Sequence, residues 1–410
     1  MTAPQPPGAT TSVACLSVSA ALGGSEWSLL DFARRAGANG IRALVILPKD
    51  GPLGEQLKQA GVAVAIAPAP ENFLALTQRT MLSMAGLVTL STGVAKWSRA
   101  IYAEAHRFFG HSPAILYSNG FKAHLASTLV RGPRRVWHLR EFPPDQIAAM
   151  WKLLARAVPT RAIANSKAVA DAWYSTGLRP DVVYNGVDLQ LFQPGARTGW
   201  IHRQLDLPPE ARLIGMPAIF ARWKGHLQVV EAFERVAEQQ PDAHLVLVGG
   251  AIYDTTAERG FAEELVKRVG RSSMSGSGAR KLNDRIHFLR HSAEPWKLYP
   301  EFDVAVHFST RPEPFGRVVA EALASGVPPI AARAGGPVEI VEEGVCGWLV
   351  APGDVAALAQ GMTRALAAMA GTGAETIRQA CRQRAETMFS ADRYASEVAA
   401  ILRGVGSVSS

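Results

Sequence analysis

Two open α/β domains in tandem are what this 410-residue chain predicts. Three observations carry the prediction. Short, continuously apolar runs alternate with helical patterns. The series stops near Asn185-Gly186-Val187-Asp188 and then starts again. The length exceeds what one ordinary hydrophobic core fills.

In the first half the apolar runs are Thr11–Val18, Ile41–Leu47, Val62–Ile66, Ala114–Tyr117, Arg135–Leu139, Ala162–Ala164 and Val182–Tyr184. Trp27–Ala36 and Gly54–Ala60 carry helical patterns between them. Runs that are apolar throughout, rather than alternating, suit parallel strands with helices on both faces. In the second half the runs are Leu213–Met216, His244–Gly249, Arg285–Leu289, Val304–His307, Pro328–Ala331 and Gly347–Val350. Helical patterns there cover Gly225–Gln239, Gly260–Val269, Gly316–Ala324, Val355–Ala368 and Glu375–Phe389. Ser272–Gly278, SSMSGSG, reads as a flexible surface loop. Two such doubly wound sheets are expected to face each other across a ligand-binding cleft.

Composition narrows the class. With 48% hydrophobic and 19% charged residues, the chain reads as globular rather than disordered. Cys15, Cys346 and Cys381 are far apart and match no metal-ligand spacing, so neither a disulfide framework nor a metal site is expected. A reducing cytoplasm is the expected compartment. No basic segment precedes the short apolar run Val13–Leu22, which argues against a signal peptide. Beyond that start, the longest uncharged run, Thr80–Ala95, is too short for a membrane span.

The stretch Arg311–Gly326, RPEPFGRVVAEALASG, holds the densest chemistry. Val318, Val319, Ala322 and Leu323 form a helical apolar stripe, while Arg317, Glu321 and Ser325 recur on the other face. Two readings stand. Arg317 and Glu321 form an exposed pair on a surface helix, or the helix N-terminus at Phe315-Gly316 is kept open for an anion, with Glu313 and Glu321 on either side of it. Gly23-Gly24 after the first run is a second turn of that kind, although it lacks the GxGxxG of a dinucleotide site.

The Glu313–Glu321 spacing, with Pro-Phe-Gly inside it, resembles the EX7E motif of the retaining family-4 glycosyltransferases. Those enzymes have the glycosyltransferase B (GT-B) architecture of two facing Rossmann-like domains. The resemblance spans nearly the whole chain. Gly23-Gly24-Ser25-Glu26 looks like the family's GGxE turn, and Trp137-His138-Leu139-Arg140-Glu141 like its histidine segment. Ala164-Asn165-Ser166 and Tyr184-Asn185-Gly186-Val187-Asp188 look like landmarks that end the first domain. Trp223-Lys224-Gly225, Leu247-Val248-Gly249-Gly250 and Gly335-Gly336-Pro337 fit the second.

The resemblance implies an acceptor-binding domain over residues 1–188 and a donor-binding domain over 189–388. Residues 389–410 would be a helix returning to the first domain, with a short tail. It implies a hexose transfer from a nucleoside-diphosphate sugar to a glycan or glycolipid hydroxyl, in bacterial cell-surface polysaccharide or lipopolysaccharide synthesis. Glu313 would bind the transferred sugar and Glu321 the ribose. The backbone of Phe315, Gly316, Arg317 and Val318 would receive the diphosphate. His138 would stand at the reacting sugar, Gly24 at the donor, Arg290 near the base, and Lys224 on the leaving group as a point charge. The family's usual arginine, five residues before that lysine, is replaced by Ile219. Arg222 either substitutes for it or is a solvated surface residue. No Asp-x-Asp occurs, so basic residues and a helix dipole are expected in place of a metal, with no cofactor.

An epimerase, a phosphorylase or a silent sugar-binding subunit on the same frame remain alternatives, and neither sugar nor base is legible. Charge points to one further partner. Residues 1–190 hold 19 Lys/Arg against 11 Asp/Glu, whereas residues 191–410 hold 24 of each. Val94, Trp97, Ile101, Ala105 and Phe108 recur at helical spacing within the basic region. The stripe reads as packing on its own sheet, and the charge excess reads as a first domain that rests on anionic lipid or accepts a phosphate-bearing glycolipid. The lipid reading makes the protein peripheral at the inner face of a membrane.

Overall fold

Every strand pairing among the described residues is parallel. The alternation of apolar runs with helices demands this, because each strand re-enters its sheet from the same end after a helical crossover. The computed structural model describes residues 10–81, 83–143, 148–157, 161–250, 260–272, 282–290, 292 and 294–407. The chain forms two compact units. One comprises Met1–Gly186 with Ala391–Ser410, the other Val187–Ser390.

The first unit has a seven-stranded sheet of β1 (Thr11–Ser17), β2 (Ile41–Leu47), β3 (Ala63–Ile66), β4 (Ile115–Asn119), β5 (Arg134–Leu139), β6 (Arg161–Ala164) and β7 (Asp181–Val182). Their order is β3-β2-β1-β4-β5-β6-β7. The pleat sends alternate side chains to two separate cores. Ala14 and Leu16 of β1 face one with Trp97, Trp137 and Trp151. Val13 and Cys15 face the other with Leu29, Phe32 and Tyr117. Helix Ala391–Ser407 closes that second core with Tyr394, Ala395, Val398, Ala399 and Leu402, so the end of the chain packs on the first sheet.

The second unit has six strands, β8 (Arg212–Pro217), β9 (Ala243–Gly249), β10 (Ile286–Arg290), β11 (Val304–His307), β12 (Pro329–Ala332) and β13 (Trp348–Val350). Their order is β10-β9-β8-β11-β12-β13. Helices His226–Gln239 and Val355–Ala370 supply Val229, Val230, Phe233, Leu358 and Met362 to its core. The loop expected at Ser272–Gly278 lies, from residue 273 on, outside the described residues, and Ser272 ends helix Phe261–Ser272.

Helix Met84–Phe109 packs its apolar stripe as expected. Val94, Trp97, Ile101 and Ala105 are buried in the first core, and the Trp97 indole N–H donates to the Ala67 carbonyl at 3.0 Å. Phe109 is buried one place past the expected Phe108, which packs on the rim. The stripe is core. The first turns of the same helix present Met84, Leu87 and Val88 to solvent.

Candidate active site

Each sheet reverses its winding once, between β1 and β4 and between β8 and β11. In open α/β sheets, ligands bind beyond the carboxyl ends of strands at such points. In the second unit, β8 and β11 deliver the candidate residues there.

After β8 the chain makes a tight turn at Arg222–Lys224 and enters helix His226–Gln239 through Gly225, at φ 79°. A Cβ on Gly225 would lie 2.0 Å from the Phe308 carbonyl oxygen, so only glycine allows the turn to rest on the exit of β11. The Thr310 N–H donates to the Trp223 carbonyl at 2.7 Å and fastens the two segments. This brings Lys224 to Glu313. Its Nζ donates to both carboxylate oxygens, at 3.0 and 2.9 Å, and lies over the Trp223 ring.

Glu313 has further partners. The Ser309 hydroxyl donates to its Oε2 at 2.8 Å, and His307 Nε2 lies 3.3 Å from the same oxygen. A carboxylate only accepts, so the His307 proton sits on Nε2. Burial alone pushes the Glu313 carboxyl up. The Lys224 charge and the His307 hydrogen bond and charge outweigh it and hold the group well below the ordinary carboxylate range. Behind the turn, the Gly336 N–H donates to the Glu313 carbonyl at 2.8 Å. A Cβ on Gly336 would stand 2.3 Å from the Phe315 carbonyl oxygen. The Gly335-Gly336-Pro337 landmark therefore backs the motif turn.

Helix Arg317–Ala324 starts at Gly316, φ 96°, with no side chain capping it. Arg317 Nε donates to Glu321 Oε1 at 2.8 Å, so the i,i+4 pair exists. The helix is not a surface helix, however. Residues 319–324 are all buried, Glu321 included at 6% exposure. The Tyr299 hydroxyl covers its other oxygen, Oε2, at 2.9 Å. Val318 follows in the first turn, and its carbonyl lies 3.3 Å from that same hydroxyl. The Phe315 ring is buried against Phe389, which leaves only its backbone for a ligand.

Two expected residues have other surroundings. Arg222 Nη1 pairs with Glu264 at 2.6 Å and its guanidinium lies over Phe261, both on helix Phe261–Ser272. Its side chain is half exposed. Arg290 is exposed at the end of edge strand β10.

Gly24 and His138 belong to the first unit. Gly24 opens helix Gly24–Ala36, and a Cβ there would meet open space. His138 lies within β5, and the pleat that carries Trp137 to one core turns His138 to the other. Its ring is fully buried beside Tyr117 and Tyr394. Tyr117 and Arg140 Nη2 both contact its Nδ1, the latter at 3.3 Å. Arginine only donates, so Nδ1 accepts and the proton sits on Nε2. Burial, with the charges of Arg140 and His124, holds the imidazole well below its ordinary pKa and keeps it neutral. Arg140 also donates to Asn119, Asn185 and Tyr394, at 2.8, 2.6 and 2.8 Å. Sequence reasoning missed His307, Ser309, Tyr299 and the central place of Arg140. Arg140 stood beside a selected residue, but the others carried no local signal. Among the described residues, no three His, Cys, Asp or Glu side chains gather as a metal-holding group.

Two parallel Rossmann-like sheets are the arrangement of the GT-B class, and comparison with known proteins bears out the fold. Residues 200–387 match the family of glycosyl transferases group 1. HepE from Anabaena, solved in complex with UDP and glucose, superposes with a TM-score of 0.75 at 27% identity, over 95% of this chain and 99% of its own. The D-inositol 3-phosphate glycosyltransferase of Corynebacterium urealyticum is 32% identical over 188 residues, 44% of this chain and 42% of that protein. Spore coat protein SA of Bacillus subtilis is 27% identical over 173 residues, 41% of this chain and 44% of that protein. The chain thus spans less than half the length of these curated relatives. Its fold is that of the GT-B glycosyltransferases, and the group 1 match falls within its second unit.

Proposed function

We propose that the protein is a retaining hexosyltransferase. It moves a hexose from a nucleoside-diphosphate sugar, with UDP as the first nucleotide to test, to a hydroxyl of a glycan or glycolipid in surface polysaccharide or lipopolysaccharide synthesis. The observation that carries this reading is the disposition of Glu313 and Glu321 about an uncapped helix N-terminus, each carboxylate held by a cation and a hydroxyl, and Glu313 by His307 as well. Each oxygen of an ionised carboxylate accepts more than one bond, and sugar hydroxyls join these donors. Glu313 takes the hexose and Glu321 the ribose. The backbone of residues 316–318 and the helix dipole receive the diphosphate.

Lys224 is shared between Glu313 and the leaving group, and as charge builds on the diphosphate its attraction grows where catalysis needs it. Arg222 joins only by leaving Glu264, so Lys224 and the helix terminus carry the greater share. Departure and attack on one face of the sugar retain its configuration, and no divalent ion is required. His138, neutral and enclosed, acts by shaping the strand end through Arg140 rather than by proton transfer.

Calorimetry with UDP and UDP-hexoses, followed by transfer assays with and without chelator, tests this. Saturable UDP binding, chelator-resistant transfer and a retained anomeric centre by nuclear magnetic resonance are expected. An inverted product, or activity restored only by magnesium or manganese, contradicts the mechanism. UDP release without a glycosylated acceptor favours the epimerase, and binding with no turnover favours a silent subunit.

Contact with anionic lipid is a second element of the reading, favoured by Met84, Leu87 and Val88 exposed together on a helix that also carries exposed Lys96 and Arg99. No described helix is long and apolar enough to cross a membrane. Each basic residue near such a surface adds on the order of 1 kcal/mol, less at high salt. Co-sedimentation with anionic but not zwitterionic liposomes at low salt is expected, and equal binding to both removes this part.

A further inference from the structure

Glu321 is the more enclosed of the two motif carboxylates, and what encloses it is a tyrosine with no sequence signal of its own. Tyr299 is fully buried, in an aromatic seat with Phe192 and Phe302 at centroid distances of 5.8 and 6.4 Å. Its hydroxyl has two acceptors in reach, Glu321 Oε2 at 2.9 Å and the Val318 carbonyl at 3.3 Å. The single proton goes to the nearer, charged oxygen. Arg317 holds Oε1 from the opposite partner set. Each carboxylate oxygen therefore has a donor that fixes it, and each oxygen of an ionised carboxylate accepts more than one bond. The two oxygens of one carboxylate match the two hydroxyls of a vicinal diol.

We propose that Tyr299 is a positioning residue for ribose recognition. By fixing the second oxygen of Glu321 it sets the carboxylate to accept both hydroxyls of a ribonucleotide, and so distinguishes ribose from a sugar that lacks them. This rests on the assignment of Glu321 to the ribose in the proposed function. A tyrosine suits the task better than a second cation. It orients the carboxylate without adding charge, so the Arg317–Glu321 pair stays balanced and the accepting strength of Glu321 is not drawn away. The buried ring also permits a nearly isosteric test, because phenylalanine keeps every apolar contact and removes one oxygen.

The experiment is calorimetry of wild type and Tyr299→Phe with UDP and with 2′,3′-dideoxy-UDP, alongside the melting temperature of each protein. Wild type should prefer UDP by tenfold or more. Tyr299→Phe should lose about tenfold in UDP affinity and little in dideoxy-UDP affinity, so the preference collapses. A purely structural role lowers both affinities together, and that result overturns the proposal, as does an undiminished preference. Glu321→Gln gives a second reading. Its own preference should collapse, and adding Tyr299→Phe to it should change nothing further. If the double variant loses more, Tyr299 does not act through Glu321. Failure of wild type to bind UDP at all overturns the proposed function itself, and this inference with it, and is told apart because no variant is needed to see it.

Discussion

At the residue scale the site is an arrangement of donors around two acids, and Glu313 shows what each partner does. Lys224 and Glu313 are both only 14% exposed, so their attraction is weakly screened and neither tolerates loss of the other. Glu313→Gln keeps the shape, removes the charge and leaves Lys224 enclosed beside an amide. Transfer should fall at least a hundredfold if the sugar relies on this carboxylate. Unfolding by urea should reveal a loss of about 1–3 kcal/mol from the weakened pair. Wild-type kcat in a folded Glu313→Gln protein would remove Glu313 from the site. Both glutamates were legible because their eight-residue spacing is local. Lys224 was legible because it lies at a strand-to-helix turn, within the Trp223-Lys224-Gly225 landmark of the family the sequence resembles. His307, Ser309 and Tyr299 were not, since each meets its glutamate only once β11 and the short turn at Tyr299–Glu301 pack against helix Arg317–Ala324. Arg222 illustrates the converse, a charge whose place on the chain suggests one partner while Glu264, 42 positions on, supplies another.

At the scale of elements, periodicity shows which face of a segment is apolar but not what covers the remaining face. Helix Arg317–Ala324 has a clean apolar stripe, and its polar face reads as solvent-facing with an Arg–Glu pair. The pair is present, yet Tyr299 and its aromatic neighbours close over it, which turns a surface pair into an enclosed carboxylate. Helix Met84–Phe109 reverses the lesson. Its stripe proves to be ordinary core, and the unusual surface lies one turn from its start, where Met84, Leu87 and Val88 are exposed. Strand β5 adds a third case. The continuous apolar character of Val136, Trp137 and Leu139 marks it as a covered parallel strand, but such a run conceals which core each residue enters. Register against β4 decides it. Tyr117 and His138 take the same side, and histidine becomes part of the wall beneath helix Ala391–Ser407. The two-sheet architecture was legible from alternation alone, because burial on both faces leaves the strands few polar positions.

At the scale of the whole molecule, both units enclose histidines that cannot easily charge, and this sets a common response to acid. His124 and His138 lie in the first unit and His226 in the second, each at most 2% exposed. Burial is the leading cause in all three. It lowers His124 to about 3 and His226 to about 4, and holds His138 well below 6.5. Arg140 adds to the effect on His124 and His138, and Lys224 on His226. The unfolded chain protonates these rings near 6.5, whereas the folded protein does not until far lower pH. Between those values the unfolded state binds more protons, so stability is full above pH 6.5 and falls as pH drops. Each buried ring removes about 1.4 kcal/mol per pH unit in that window. Glu313, whose pKa is depressed, adds a loss of the same sign only below about 4.5, its ordinary value. Glu26 and Glu141, raised by burial, act oppositely, since the folded state takes up their protons first. The three histidines, joined by His287, which burial also lowers, outnumber these two carboxyls, and a net decline is expected between pH 6.5 and 5. Urea titrations across that range should show falling midpoints. His226→Phe, which keeps a ring between Phe220 and Phe261, should flatten the slope of the second unit by roughly 1.4 kcal/mol per pH unit and leave the first unit unchanged. Constant midpoints from pH 7 to 5 would mean that these rings reach water or a partner able to take the charge, contrary to their enclosure.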